Sequence, residues 1–450
     1  MSVQPEQNSS QGFLFKSWQF NQQSGELTCH YCDAQFGDFT ETFIFANVDQ
    51  ARYLKQQKNI DAAIDCLFWM AGVSYYKTAL AKSISFQQNT PSKTQAQWLT
   101  DTWQAGLAEL AHENNLGWLD WVKIEGNASA PEPMPCDLRQ RSLVAIGGGK
   151  DSLVSIEAIK AAQEEACLFL VGQSEFILSV AEKTNLPIMS IQRQVDKKLA
   201  QVNQQGAYNG HIPITAINAC VAVVAALLYD FDSVVFSNER SADVGNLQID
   251  SGQWINHQYS KSLAYERNWQ LIIKTHVAEA LDCFSLLRPF SELAIIKRFA
   301  SLEKYFAHFS SCNRNFHLTG SQNANHHWCG ICPKCAFVFL CLAPFVSRQQ
   351  LLDIFQQNLF DNKSLSGLFD SLLGIEGIKP FECVGEQQEC RLAVTMLRQH
   401  PDWQDHPKII AWSKIIPTTT EQDAMLLMQP SSDHNIPAKR NFRQVIQHET

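Results

Sequence analysis

The sequence predicts an α/β protein: a parallel sheet with helices on its faces, entered through a hairpin-and-helix region and followed by a helical region rich in clustered cysteines. Three observations predict it. Short aliphatic runs alternate with helix-like stretches between residues 142 and 239. A glycine-rich turn, "VAIGGGKDSLVSIE", joins one such run to a helical pattern. Several cysteines gather in one stretch after residue 310, where the texture is otherwise helical. The expected segments are 1–135, the hairpins and first helices; 136–310, the α/β core; 311–430, the cysteine cluster and further helices; and 431–450, a polar, mobile tail.

In chain order, residues 12 to about 50 alternate apolar and polar, as in "ELTCHYCDAQFGDFTETFIF", which suits hairpins with Gly37 and Asp38 near a turn. From Asp61 the pattern "DAAIDCLFWMAGVSYYKTALAKSI" has helical spacing, and "SKTQAQWLTDTWQAGLAELAHEN" reads as a second helix. The proline-bearing "NASAPEPMPCD" marks the first boundary. Beyond it come the runs "SLVAIGG", "ACLFLVG" and "LPIMSIQ", a long helix from about Thr215, and "SVVFSNE".

Composition narrows the function classes. A chain of 450 residues with 45% hydrophobic content can bury a large core, and a formal charge of -9 disfavours nucleic acid as a partner. The polar start "MSVQPEQNSS" lacks the pattern of a signal peptide, and the longest aliphatic run, "ACVAVVAALLY", is too short to span a bilayer. The expectation is a cytoplasmic protein without membrane insertion, whose clustered thiols serve metal binding or chemistry rather than disulfides.

If "SLVAI" is a buried strand, Gly147, Gly148 and Gly149 lie just past its carboxyl end, and Asp151 or Ser152 can cap the following helix. Glycines let backbone amides crowd round an anion. The helix start adds partial positive charge and Lys150 a full one, so a phosphate is the natural guest. A ligand-free glycine turn is the alternative, against which the position at a strand's carboxyl end argues. The turn is neither a Walker A loop nor a dinucleotide fingerprint. It resembles the Ser-Gly-Gly-x-Asp-Ser signature of PP-loop ATP pyrophosphatases, with Gly147 in place of the first serine and Gly148, Gly149, Asp151 and Ser152 matching. That resemblance implies a PP-loop (HUP-like) nucleotide-binding core that cuts ATP between its α and β phosphates and adenylates an oxygen of the substrate.

Cys312 precedes a Cys-x-x-Cys-x-x-Cys run formed by Cys329, Cys332 and Cys335. Four thiolates satisfy tetrahedral zinc with no open position, so the site is expected to be structural; an iron-sulfur cluster is the rival that spacing alone leaves open. Cys29 and Cys32 sit within an apparent strand and read as half-buried strand residues, and His326 and His327 as ordinary loop residues. A glycine turn followed by this cluster is similar to the 7-cyano-7-deazaguanine synthase branch of PP-loop enzymes, in which ATP activates a carboxyl group beside a four-cysteine zinc site.

Between the motifs lie "NQQGAYNGHIPITAIN", "SNERSADVGN", "NHQYSKSLAYE" and "DCFSLLRPFSE", and after them "IKPFECVGE". At these positions the chain resembles the MurL family of UDP-N-acetyl-α-D-muramoyl-L-alanyl-L-glutamate epimerases. The resemblance implies inversion of a terminal L-glutamate on a nucleotide-sugar dipeptide, with ATP and magnesium consumed, AMP and pyrophosphate released, and the product destined for peptidoglycan.

Gly148, Gly149 and Ser152 are then expected to contact phosphate, Lys150 to neutralise charge, and Asp151 to cap the turn or hold magnesium. Asn238, Glu239, Arg240 and Ser241 follow the strand "SVVF", where they can hold adenosine, magnesium or the glutamyl group. His211 and Lys261 are candidate proton carriers, Arg288 a carboxylate or diphosphate clamp, and Tyr259 a further polar contact. The sequence leaves the α-proton base unassigned. Two alternatives stand beside the epimerase: a PP-loop enzyme acting on a nucleobase or transfer RNA, and a zinc-stabilised nucleotide-binding module without catalysis.

Overall fold

A computed structural model of the chain describes residues 12–127, 129, 132–312, 314, 327–438 and 440; His326 lies outside these described residues. The chain forms two compact units, each gathered from several stretches. The first comprises Met1–Gln140, Ser190–Val234 and Arg267–Cys283; the second comprises Arg141–Met189, Val235–Glu266 and Phe284–Thr450.

In the first unit β1 (Gly12–Asn21), β2 (Glu26–Asp33) and β3 (Gly37–Ile44) form an antiparallel meander, with Leu27 opposite Phe20 on one side and Phe43 on the other. Strand alternation sends Phe13, Phe15, Leu27, Tyr31, Phe39 and Phe43 into the core. β4 (Ser83–Phe86) joins β1 in parallel. The helix Gln50–Ala71 covers the meander, and its Phe68 ring lies 5.3 Å from Phe15 and 5.2 Å from Tyr31. This helix starts before the expected Asp61. Asp49 caps it by accepting from the amides of Ala51 and Arg52, and the backbone kinks at Gln56. The stretch ahead of Asp61 is mostly polar, so apolar periodicity reveals only the deeply buried half. The helix Ile214–Tyr229 is largely apolar, is buried along most of its length and packs on Gln50–Ala71.

The second unit holds the alternating core. β5 (Ser142–Ala145) and β6 (Ala166–Val171) pair in parallel through the crossover helix Lys150–Ala161. β7 (Ile188–Gln194) stands next to β6 in the sheet, and on its other side Gln192, Arg193 and Gln194 run antiparallel to Ile44, Phe43 and Thr42. Arg193 there meets the buried carboxylate of Glu41. β8 (Ser233–Phe236) follows β5, β9 (Leu247–Gln248) and β10 (Trp254–Ile255) form a small separate pair, and β11 (Asp282–Ser285) lies outside β8, giving the order β11-β8-β5-β6.

Helices Glu292–Phe299, Pro333–Leu342 and Gln387–Leu397 pack together in the second unit. In the expected tail Ile436 and Arg440 are buried, and Arg440 pairs with Glu164 at 3.3 Å. No helix among the described residues is long and apolar enough to cross a membrane.

Candidate active site in the second unit

The site is built outward from the end of β5. Gly148 has φ +76°, a left-handed conformation that side chains rarely adopt, and a Cβ there would meet Phe176 at 2.8 Å. Open space surrounds the Cβ position of Gly147. Gly149 is the N-cap of the helix Lys150–Ala161, and no side chain caps it. The expected cap from Asp151 or Ser152 does not form, because both already lie in the first turn: Ser152 Oγ donates back to Gly149 O at 2.9 Å, and Asp151 accepts from Lys150 Nζ. The first-turn amides therefore keep their capacity for an external anion. The backbone amide of Ser310, two residues before Cys312, donates to Gly148 O at 3.1 Å and fixes the turn from the far side.

Lys150 points inward. It is 0% exposed, and its Nζ bridges Asp151 and Glu292, itself 1% exposed. Glu292 Oε1 also receives Lys334 Nζ at 3.4 Å, and the same ammonium donates to the backbone oxygen of Cys383. Cys383 Sγ in turn receives Lys261 Nζ at 3.0 Å. An alternating series of charges thus runs from the glycine turn to a thiol, through residues from four separate segments.

The titration of these groups diverges. Burial favours neutral Glu292, yet Lys150 and Lys334 outweigh it and hold the carboxyl at about 2. Burial, with repulsion from Glu292 and Asp151, pushes Glu239 up to about 7. Burial also raises Glu389 to about 7, against a hydrogen bond from Ser241. Burial would lower Lys150 and Lys261, but their anionic neighbours raise both above the ordinary lysine value. Burial would likewise raise the Cys383 thiol; Lys261, His257 and Lys334 reverse this and bring it down to about 5. Carboxyls and a thiol driven apart in this way are what acid-base chemistry at neutral pH requires.

The remaining expected residues take distinct places. Arg288 is fully buried and its terminal nitrogens donate internally, Nη1 to Glu239 O at 2.7 Å and Nη2 to Lys261 O and to Glu266 Oε2 at 3.1 Å, while its Nε has no hydrogen-bond partner. It ties the segments of Glu239 and Lys261 together. Asn238 Nδ2 donates to Ser285 Oγ at 3.0 Å, and Arg240 Nη2 donates to the carbonyls of Leu426 and Leu427. Ser241 Oγ donates to Glu389 and accepts from the Glu292 amide at 3.3 Å, which places it directly beside the lysine network. Tyr259 stands edge-on to Tyr265. His211 belongs to the first unit, where its ring lies within 4.8 Å of the Glu109 carboxylate.

The four cysteines converge as expected, and they could hold a metal such as zinc. Zinc bound tetrahedrally at about 2.3 Å from each sulfur sets neighbouring sulfurs about 3.8 Å apart. The Sγ separations are 3.9 Å for Cys312 and Cys332, 3.7 Å for Cys329 and Cys335, and 3.4 Å for Cys332 and Cys335. Lys334 sits between two of these cysteines, so a filled site would fix the start of the helix that carries its ammonium to Glu292. Cys29 is buried and Cys32 half-buried on β2, and the His327 ring packs against Phe176.

Sequence reasoning missed Glu292, Lys334, Cys383, His257 and Glu389. Each lies in or next to a stretch already marked as polar or metal-binding, but no spacing pattern joins them. The nearest signal was "IKPFECVGE", where a thiol interrupts a run of charged residues.

Comparison with known proteins gives this constellation a context. Profiles described as the MurL N-terminal domain and the MurL C-terminal domain match residues 4–286 and 308–426. A protein of Xanthomonas oryzae pv. oryzae named UDP-N-acetyl-alpha-D-muramoyl-L-alanyl-L-glutamate epimerase is 40% identical over 429 residues, covering 94% of this chain and 95% of the relative. Proteins of the same name from Micromonospora sp. and Salinispora tropica are 37% and 36% identical, over 83% and 92% of this chain and 83% and 90% of theirs. With both profiles matched and relatives aligned along almost their whole length, the chain belongs to the MurL family.

Proposed function

We propose that this chain inverts the terminal L-glutamate of UDP-N-acetylmuramoyl-L-alanyl-L-glutamate, an intermediate on the way to peptidoglycan, and that it couples the inversion to cleavage of ATP into AMP and pyrophosphate. The observation that carries the reading is near-full-length similarity to three relatives that bear the epimerase name. The buried network of opposed charges in the second unit supports it chemically.

The physical reason for involving ATP lies in the carboxylate. Removing an α-proton beside a carboxylate builds a second negative charge next to the first. Joining the carboxyl to AMP masks that charge and acidifies the α-carbon. A gain of about ten pKa units corresponds to roughly 14 kcal/mol, at 1.36 per unit, more than any one oxyanion donor supplies. Hydrolysis after reprotonation frees the inverted acid.

In this reading the core is of PP-loop type, and the uncapped amides at Gly148 and Gly149, with Ser152, receive phosphate. Lys150 balances charge from within, and Asp151 is placed to hold magnesium directly or through water. Asn238, Glu239 and Ser241, past the end of β8, border the same network. Arg288 is a positioning residue. The four thiols meet around one point, as a single zinc ion needs, so zinc is assigned in preference to an iron-sulfur cluster. The nucleotide substrates imply work in the cytoplasm.

Pyrophosphate release with candidate substrates tests the reading. Release that depends on the L,L-dipeptide nucleotide is expected. Release only with RNA or a deazaguanine would make the chain a different PP-loop enzyme, and no release with any of them would leave a nucleotide-binding module.

A further inference from the structure

The α-proton base is the missing part of this account. We propose that Cys383 Sγ takes the α-hydrogen of the activated glutamyl group, with Lys261 as its positioning partner. The proposal rests on the epimerase reading and names the residue that reading leaves open.

The assignment comes from what surrounds the thiol. Lys261 Nζ lies 3.0 Å from Cys383 Sγ, and the His257 side chain hydrogen-bonds to the same sulfur. The backbone oxygen of Cys383 holds Lys334 Nζ, which reaches Glu292, which holds Lys150 at the glycine turn. The sulfur is therefore anchored, through its own main chain, to the turn assigned to phosphate. Burial raises the thiols of Cys66, Cys167 and Cys220, as it does for inert core cysteines, whereas the cations around Cys383 reverse that effect. The charged groups that face it are Lys261, His257 and Lys334, with the Glu382 carboxylate beside it in sequence. An independent observation lies in the same segment: Lys379 is 8% exposed, and its Nζ has no hydrogen-bond partner. Its electrostatic neighbour is the Glu386 carboxylate, and an ammonium with no hydrogen-bond acceptor of its own is suited to a substrate anion, a carboxylate or a diphosphate.

In the step, a lone pair of the Cys383 thiolate forms the S–H bond. The C–H pair moves into the bond between the α-carbon and the acyl carbon, and the negative charge passes from sulfur to the acyl oxygen. Lys261 stays an ammonium throughout. Water gives a proton to the opposite face of the α-carbon, and the hydroxide left behind takes the thiol proton, which restores the thiolate.

The test uses the full-length chain with ATP, magnesium and the L,L-dipeptide nucleotide. It compares two readouts: substrate-dependent exchange of labelled pyrophosphate into ATP, which reads adenylation, and wash-in of solvent deuterium at the glutamyl α-carbon. Cys383→Ser should lower wash-in by about 10³-fold while exchange stays within a few-fold of the unaltered chain. Lys261→Met should move the acidic limb of the wash-in profile to higher pH. Iodoacetamide, with Cys383 mapped as the alkylated residue, should stop wash-in in the unaltered protein and spare exchange. Wash-in at the original rate in Cys383→Ser would overturn the assignment. So would exchange and wash-in lost together after alkylation, or a glutamyl adduct on the sulfur in acid-quenched protein, which would make Cys383 a nucleophile. Absence of exchange in the unaltered chain would sink the epimerase reading itself, and the assignment with it.

Discussion

Each unit buries a glutamate against a cation, and the two pairs are built differently. In the first unit Glu41 faces Arg193, whose Nη2 also donates to Ser74 Oγ at 2.9 Å; burial still leaves Glu41 raised above its ordinary value. That pair is self-contained in charge, though Glu41 Oε2 is buried without a hydrogen-bond partner, and it links β7 to β3. In the second unit Glu292 faces two lysines, one from the glycine turn and one from between the clustered cysteines, and it drops to about 2. Its charge is shared along a series that also includes Glu239, Lys261 and Cys383. A self-contained pair serves the fold alone. A shared series can pass charge to a ligand with small shifts in each member, at the expense of local stability.

The largest effect should come from breaking the support of that series. Cys332→Ser is expected to lose the metal and, with it, on the order of 10 kcal/mol of metal-linked folding energy in the second unit. Elemental analysis should find about one zinc per unaltered chain, and chelation should lower its melting temperature. Next come the paired substitutions Glu41→Gln and Glu292→Gln. Each strands buried positive charge and should cost about 3–5 kcal/mol in denaturant unfolding. Only Glu292→Gln is expected to abolish pyrophosphate release, and equal loss in both would erase the contrast drawn between the pairs.

A pH effect of intermediate size follows from Glu389, fully buried and raised from an ordinary 4.5 to about 7. The folded chain holds this proton more tightly than the unfolded chain, so the stability it contributes is present below about pH 4.5 and is lost as pH rises through about 7. The difference is about 3 kcal/mol at 1.36 per unit. Urea titrations at pH 5 and pH 8 should show a smaller difference in Glu389→Gln than in the unaltered chain. The smallest effect is expected from Gly148→Ala. Strain at φ +76° and the approach to Phe176 should cost about 1–2 kcal/mol and raise the KM for ATP more than they lower kcat.

The order of strands and helices was legible because β5, β6 and β8 are short apolar runs set off by glycines and polar breaks. The convergence of Cys329, Cys332 and Cys335 was legible because their spacing is local. What escaped reading depended on long-range partners. The antiparallel pairing of β7 with β3 carries a buried pair 152 residues apart in sequence, and the Lys150 bridge to Glu292 spans 142. Cys383 and Lys261 carry no mutual spacing signal, so only folding shows that the ammonium of one lies 3.0 Å from the sulfur of the other. Arg288 reads from the sequence as a ligand clamp, and folding adds what the sequence could not show, that it also joins the segments of Glu239 and Lys261.

The central claim is that nucleotide cleavage loosens the α-hydrogen by masking a neighbouring anion. Incubation of the protein with the L,L-dipeptide nucleotide in deuterated water, with and without ATP and magnesium, tests it most directly. D-glutamate carrying solvent deuterium at the α-carbon is expected only when ATP is present, with AMP and pyrophosphate formed alongside. Inversion or deuterium uptake without ATP would contradict it.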